Sequence, residues 1–170
     1  MATRPPSLAL RFGIFALATS LFGCDHATKI AAKDMLEGGR TIAIYDGIVD
    51  LRFAPNPDTA FSLLAHLGVP KSPALLLGLA IAALLAVLVA WAIAWRKRAS
   101  TLQHAGFALV VAGALGNVVD RAIRGYVVDF IHIGPWPIFN VADIVVVVGV
   151  GLLLLASWHK PRDADRHASA

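Results

Sequence analysis

The sequence predicts an all-α integral membrane protein, with four transmembrane helices and a small β-rich extracytoplasmic insertion. The composition indicates a membrane protein, because 58% of the 170 residues are hydrophobic and only 15% are charged, whereas a soluble domain is typically about 25% charged. The mean hydropathy is also high, at +0.70. The charges cluster beside long apolar runs, as they do around membrane spans. We therefore expect residues 1–170 to form one membrane-embedded domain.

Four apolar runs approach or exceed the roughly 20 residues that a membrane-spanning helix needs. The predicted spans cover about residues 10–33, 72–95, 101–121 and 138–158.

The first run alone has a second interpretation. Its basic flank and the stretch Leu21-Phe22-Gly23-Cys24 resemble the signal peptide and cleavage motif of a bacterial lipoprotein. Cleavage there would remove the first helix and leave a protein with three spans. We favour an uncleaved helix that continues through Asp25 and Lys29, which are four residues apart and lie on one helical face.

The basic clusters predict the orientation in the membrane. Arg4 and Arg11, the run Arg96 to Arg98 and the tail 159–170 all fall on one side of a four-span arrangement. The positive-inside rule puts that side, with both termini, in the cytoplasm. The formal net charge of +4 is explained by these anchors, so no nucleic-acid partner is predicted.

Residues 36–70 differ in kind from the spans and form the predicted insertion. Gly38-Gly39 interrupts the helix, and Thr41 to Phe53 is rich in β-branched and aromatic residues around a turn at Asp46-Gly47. A short amphipathic segment is expected at 61–67. A further short strand, Val127 to Ile133, is expected in the loop between the last two spans.

Two Asn-Val-x-Asp units, ending at Asp120 and Asp143, mark the candidate site. One span ends at Asp120 and the next begins near Asp143, so the chain crosses the membrane in opposite directions on either side of this loop. Both carboxylates therefore lie at the same membrane face. A carboxylate within a span costs about 2.5–3.5 kcal/mol to insert, which makes each a functional candidate.

Two carboxylates at one level in a low dielectric do not both ionise readily, so such a pair shares a proton. Aspartic proteases use this arrangement: the ionised member activates a water molecule, and the protonated member donates to the carbonyl oxygen and then to the leaving nitrogen. The histidines are scattered, and no cluster has zinc-ligand spacing. No metal and no cofactor are predicted.

Five short motifs around this pair occur together, in the order found in one known family. They are Asp25-x-x-x-Lys29, Asn56 with Ala60-Phe61, Gly116-Asn117-x-x-Asp120-Arg121, Val128-Asp129-Phe130, and Phe139-Asn140-x-Ala142-Asp143. This ordered set, on four spans, resembles the lipoprotein signal peptidase family (signal peptidase II) over about residues 10–160.

The resemblance implies an aspartic endopeptidase of the bacterial inner membrane that works at the periplasmic face, and we expect it to be a monomer. Its substrate would be a diacylglyceryl-modified prolipoprotein, cut just before the lipidated cysteine, and membrane lipid would be its other partner. Asp120 and Asp143 match the catalytic pair. The remaining matched residues are four that line the site, Asn56, Asn117, Arg121 and Asn140, and a supporting pair, Asp25 and Lys29.

Two adjacent positions depart from the family pattern. The family commonly has Asn-x-Gly-Ala-Ala-Phe, where this chain has Asp58 and Thr59 in place of the Gly and the first Ala. The departure concerns the shape of that loop and leaves the carboxylate motifs intact.

Structural interpretations stand beside the catalytic one. Asp120 could form an ion pair with Arg124, one helical turn on, and Asp143 could be a first-turn carboxylate of a helix capped by Asn140. Asp129 and Phe130 are expected to shape the loop. The main competing function is a small proton- or ion-coupled carrier with Asp25, Asp120 and Asp143 as relay groups.

Overall fold

The computed structural model of the chain describes residues 7–45, 47–57, 72–97 and 99–158. Several features predicted from the sequence lie outside these residues: Arg4 and Arg98 of the basic clusters, Asp46 of the turn, the Asp58–Thr59 departure with Ala60-Phe61, the amphipathic segment 61–67, and the tail from residue 159. Within them are four helices that are long and apolar enough to cross a membrane. They are α1 (Leu8–Leu36), α2 (Pro73–Arg96), α3 (Thr101–Arg124) and α4 (Val141–Trp158).

The four spanning helices of the predicted fold are confirmed, with shifted bounds. Helices α1 and α3 each run three residues beyond the predicted ends at 33 and 121. Helix α1 is continuous through Asp25 and Lys29. Helix α3 begins with a capping box of Ser100 and Gln103. Its last residue, Arg124, is followed by Gly125, which caps the helix in the left-handed conformation with a φ of 78°.

Helix α4 begins three residues later than predicted, at Val141. The reason is that Phe139 is held in extended backbone: its N–H donates to Ile131 O over 3.0 Å and its carbonyl accepts from Ile131 N over 2.8 Å. Asn140 then accepts a hydrogen bond from the backbone N–H of Asp143 over 3.1 Å, as an N-cap side chain does. The extended backbone at Phe139 and the cap at Asn140 therefore fix Val141 as the first residue of α4.

A three-stranded antiparallel sheet adjoins the helix ends that carry the candidate site. Its strands are β1 (Thr41–Tyr45), β2 (Val49–Asn56) and β3 (Val127–Ile133), in the order β1-β2-β3. The strand predicted at 127–133 is thus confirmed. The sheet combines the insertion after α1 with the loop after α3, and its register places Asn56 opposite Val127 and Ala54 opposite Asp129.

Helix α3 is the centre of the helical layer, since α1, α2 and α4 all pack against it. Its contact with α4 is close because glycines face the partner backbone. A Cβ atom added at Gly113 would lie 2.4 Å from the carbonyl oxygen of Ala142, and one added at Gly106 would lie 2.9 Å from that of Gly149. Small residues allow membrane helices to approach in this way.

Two apolar clusters hold the helices and the sheet together. Leu109 and Ala112 of α3 pack with Val145 of α4 between the helices. Ala32 and Leu36, at the end of α1, pack with Val128 and Phe130 of β3. The second cluster places β3 directly over the polar residues at the ends of α1 and α3.

Candidate active site

Lys29 lies at the centre of the polar cluster between the helices. Its side chain is fully buried, and its Nζ is 2.8 Å from Asp25 Oδ2, 3.0 Å from Asp120 Oδ2 and 2.9 Å from Asn117 Oδ1. Asn117 accepts a hydrogen bond from this ammonium group, and the two carboxylates form ion pairs with it. A cation buried in this way needs such partners to be stable. Lys29 therefore binds α1 to α3.

Asp25 extends the cluster to the fourth helix. Its Oδ1 accepts a hydrogen bond from the backbone N–H of Ala142 over 2.8 Å. This N–H is one of those in the first turn of α4 that have no acceptor within the helix. The predicted pair of Asp25 and Lys29 is present, and it also fixes where α4 begins relative to α1.

Asp120 is fully buried and its two carboxylate oxygens are already bound. Besides Lys29, its partners are the guanidinium of Arg124 and the backbone N–H of Val128, the latter at 3.2 Å. Two cations and one amide donor therefore neutralise and orient this carboxylate. The ion pair with Arg124 that the sequence allowed is formed, and the carboxylate also ties the end of α3 to the start of β3.

Asp143 lies on the other side of Asn117 and is only half-buried. Asn117 Nδ2 donates to Asp143 Oδ1 over 2.9 Å, and the backbone N–H of Asn140 donates to Oδ2 over 3.2 Å. Asn117, on α3, thus orients the carboxylate of the neighbouring helix α4. Asp143 is also a first-turn carboxylate of α4, where the helix dipole favours its negative charge.

Asp129 of β3 is the functional candidate that the sequence prediction assigned only to loop shape. It is 3% exposed, and each of its carboxylate oxygens accepts from an amide side chain. Asn56 Nδ2 donates to Oδ2 over 2.8 Å, and Asn140 Nδ2 donates to Oδ1 over 2.7 Å. Asn140 therefore contacts both Asp129 and Asp143.

The electrostatic environment of Asp129 favours a bound proton. Burial raises the pKa of Asp129 from its ordinary 3.8 to about 6, and the negative charge of Asp143 adds to the increase. The hydrogen bonds from Asn56 and Asn140 act in the opposite direction and limit the rise. A carboxyl group with a pKa near neutrality, next to a second carboxylate, is suited to general acid–base chemistry.

The predicted site residues thus gather into one network at the ends of the helices beside the sheet. Arg121 lies at its edge, where Nη1 donates to the carbonyl oxygen of Asn117 over 3.3 Å. Within the described residues, no group of three or more His, Cys, Asp or Glu side chains could hold a metal ion. Asp129 could have been noticed in the sequence as a carboxylate between the apolar residues of Val128-Asp129-Phe130.

Comparison with known proteins connects this network to one family. The family model described as signal peptidase (SPase) II matches residues 17–159, which contain every residue of the network. The chain belongs to the signal peptidase II family. Two relatives named lipoprotein signal peptidase show how far the similarity extends. The protein of Azoarcus sp. (strain BH72) is 37% identical over 99% of this chain and 97% of its own length. The protein of Haemophilus influenzae is 41% identical over 84% of this chain and 83% of its own length.

Solved structures share the fold of this signal peptidase II family member. One bacterial membrane enzyme, determined by the in meso method, superposes with a TM-score of 0.74 over 93% of each chain, at 23% sequence identity. A second superposes with a TM-score of 0.73 over 94% of this chain and 99% of its own, also at 23% identity. The arrangement of helices and sheet is therefore common to these proteins.

Proposed function

We propose that this chain is an intramembrane aspartic endopeptidase that removes the signal peptide from diacylglyceryl-modified prolipoproteins, cutting just before the lipidated cysteine. Family membership supports a signal peptidase, and the relatives are named for lipoprotein substrates. Carboxylates held together at the ends of membrane-spanning helices support the aspartic type of chemistry.

The observation that carries this proposal is that one side chain, Asn140, contacts two neighbouring carboxylates. We therefore assign the catalytic pair to Asp129 and Asp143. Their charges interact, since the charge of Asp143 contributes to the raised pKa of Asp129. Asp143 is half-buried and so within reach of a water molecule.

The pair predicted from the sequence, Asp120 with Asp143, is the alternative assignment. The geometry does not favour it, because Lys29, Arg124 and the Val128 amide already occupy the oxygens of Asp120. Asp120 is also fully buried, so its oxygens are less accessible to a water molecule than those of the half-buried Asp143. We assign Asp120 a positioning role: it holds β3, and with it Asp129, against α3.

The assigned pair supports a balanced reaction. Ionised Asp143 takes a proton from water as the water oxygen bonds to the scissile carbonyl carbon, and protonated Asp129 gives its proton to the carbonyl oxygen. The tetrahedral intermediate then breaks its C–N bond. The proton held by Asp143 passes to the leaving nitrogen, and Asp129 recovers a proton from the collapsing intermediate. Asn117, Asn140 and Asn56 keep the two carboxyl groups oriented through this cycle.

The cellular setting follows from the same proposal. The enzyme is placed in the bacterial inner membrane with both termini in the cytoplasm, so that the network and the sheet face the periplasm.

A diacylglyceryl chain lying in the bilayer would then bring its cysteine to the level of the site. Each buried methylene of such a chain contributes about 0.8 kcal/mol to membrane binding. The anchor both recruits the substrate and positions its scissile bond. We expect the enzyme to act as a monomer, with membrane lipid as a further partner.

A gel-shift cleavage assay on a purified prolipoprotein tests the function. The full chain in detergent or nanodiscs should shorten the diacylglyceryl-modified precursor at the residue before the cysteine, and mass spectrometry of the product identifies the bond. The unlipidated precursor is the matched control and should be cut little. No cleavage of the lipidated precursor by a folded protein would refute the proposal. Proton or ion flux in proteoliposomes without precursor would then support the carrier.

A further inference from the structure

A groove between α1 and α2 begins at the end of these helices that is remote from the polar network and reaches Phe22 and Leu115, which are near Asp25 and Asn117 in the chain. It is floored by α3 and encloses about 500 Å³, within the range of roughly 300–1,000 Å³ typical of ligand pockets. At 1.5 Å rise per residue, Arg11 lies about 27 Å along α1 from Lys29. His104 lies about 24 Å along α3 from Asp120. Only the Arg11 and His104 end of the groove is therefore remote from the carboxylates, and the chemistry assigned to them does not use that end.

The walls of this groove are apolar along its length. Its main lining residues are Ile14, Ala18, Phe22, Trp91, Val111 and Leu115. Trp91 Nε1 donates a hydrogen bond to His104 Nδ1 over 3.0 Å, so these two polar atoms satisfy each other. The interior thus offers aromatic and aliphatic surface, which favours a flexible hydrocarbon chain.

The end of the groove carries positive charge. The guanidinium of Arg11 lies 4.9 Å from the centre of the Trp95 ring, and Arg11 and Trp95 both line the groove. Arg96 and Lys97 follow Trp95 directly, at the end of α2. Basic pockets between membrane helices bind the headgroups of anionic lipids, and arginine suits a phosphate because its fork of donors matches the phosphate oxygens.

From this combination we infer that the groove is a binding site for one anionic phospholipid, with an acyl chain between α1 and α2 and its phosphate at Arg11. The occupant is a lipid of the cytoplasmic leaflet in the proposed orientation. The signal-peptide helix of a substrate fits less well. A signal peptide begins with a positively charged segment, which Arg11 would repel.

The test is native mass spectrometry of the full chain released from nanodiscs that contain equal amounts of phosphatidylglycerol and phosphatidylcholine. The wild type should retain one phosphatidylglycerol in preference to phosphatidylcholine. Arg11→Gln should reduce that preference about fivefold, the factor that corresponds to the roughly 1 kcal/mol contributed by one basic residue near an anionic surface. Val111→Phe should remove the retained lipid because the new ring occupies the groove.

Matched controls separate a specific site from general lipid contact. Val147→Phe makes the same change on α4, at a side chain that is 70% exposed and outside the groove, and it should retain lipid like the wild type. Thr19→Phe fills the groove from the α1 side and replaces Val111→Phe if that variant is not folded by circular dichroism. Equal retention of the two lipids by the wild type, or normal retention by the groove-filling variants, would overturn the inference. So would displacement of the lipid by an added signal peptide. The lipid site does not depend on the proposed peptidase activity.

Discussion

Asn140 donates a hydrogen bond from Nδ2 to Oδ1 of Asp129 over 2.7 Å, and this bond joins the sheet to the first turn of α4. The same side chain accepts from the backbone N–H of Asp143 through its Oδ1. One amide thus fixes the distance between a carboxylate on β3 and a carboxylate on α4. The assignment of the catalytic pair rests on this relationship.

The two assigned carboxylates should act as one unit. Asp129→Asn and Asp143→Asn are each expected to reduce cleavage on the order of ten-thousandfold, and the double variant should be hardly worse, since residues that act together are not additive. The measurement is the rate of cleavage of the lipidated precursor by equal amounts of folded protein. Near-normal cleavage by a folded Asp129→Asn variant would remove Asp129 from the mechanism.

Asp120→Asn distinguishes the two assignments. As a positioning residue, Asp120 should give a variant that is less stable and slower, but whose rate keeps the pH profile of the wild type because Asp129 and Asp143 remain. The profile of cleavage rate against pH is the deciding measurement. A loss as deep as that of Asp143→Asn, with a changed profile, would restore the pair of Asp120 and Asp143 predicted from the sequence.

The raised pKa of Asp129 makes both activity and stability depend on pH. Its pKa is 3.8 ordinarily and about 6 in the folded chain, so the folded protein binds more protons than the unfolded chain between these values. Stability should therefore fall as pH rises from about 4 to 6, by about 3 kcal/mol for the roughly two-unit shift. Denaturation at pH 4 and pH 7 measures the fall, which should be absent from Asp129→Asn.

The cleavage rate should also fall as pH rises through 6, because Asp129 loses the proton it donates. Asp143→Asn should lower the pKa of Asp129, as read from its carbonyl infrared band, and an unchanged pKa would contradict their pairing.

Lys29→Met should destabilise the fold strongly. The substitution leaves Asp25 and Asp120 buried without the cation they share, and breaking a buried ion pair in this way costs about 3–5 kcal/mol. Unfolding in detergent measures the change. The double variant Asp25→Asn with Lys29→Met should recover part of the loss, because Asp120 still has Arg124. Lys33→Met, one turn further along α1, is the matched control. A loss no greater than that of the control would contradict the central role of Lys29.

Gly113→Ala should disturb the site from a distance. The added Cβ would lie 2.4 Å from the carbonyl oxygen of Ala142, so α4 must move, and Asp143 is the next residue. We expect a loss of about 1–3 kcal/mol, typical of overpacking, together with slower cleavage. Gly151→Ala is the control, since no atom lies within 4 Å of its added Cβ. Equal behaviour of the two variants in unfolding and cleavage assays would show that the close contact is dispensable.

Reporter fusions test the orientation. Fusions at Gly47 and Gly125 should report the periplasm, and a fusion at Ala99 should report the cytoplasm, because the basic clusters then remain inside. A cytoplasmic signal at Gly47 would place the sheet and the carboxylates at the opposite face and would refute the proposed access of a periplasmic cysteine.

The sequence by itself determined the four spanning helices and the strand at 127–133. These depend on local properties: the length of uncharged runs, basic flanks and β-branched residues. It also singled out Asp25, Lys29, Asn117, Asn140 and Asp143, since polar groups beside apolar runs are conspicuous and the ordered motifs connect them. The family resemblance found in those motifs is confirmed.

Only the tertiary structure decided which of these side chains meet. Lys29 and Asn117 are 88 residues apart. No local sequence pattern predicts that the ammonium group of Lys29 contacts side chains on both α1 and α3. The same holds for β3, which joins a sheet begun after α1 and thereby carries Asp129 to Asn140. Asp120 and Asp129 are both carboxylates near an apolar run. They differ because Lys29 and Arg124 balance the charge of the first, whereas burial, with the charge of Asp143, raises the pKa of the second to about 6.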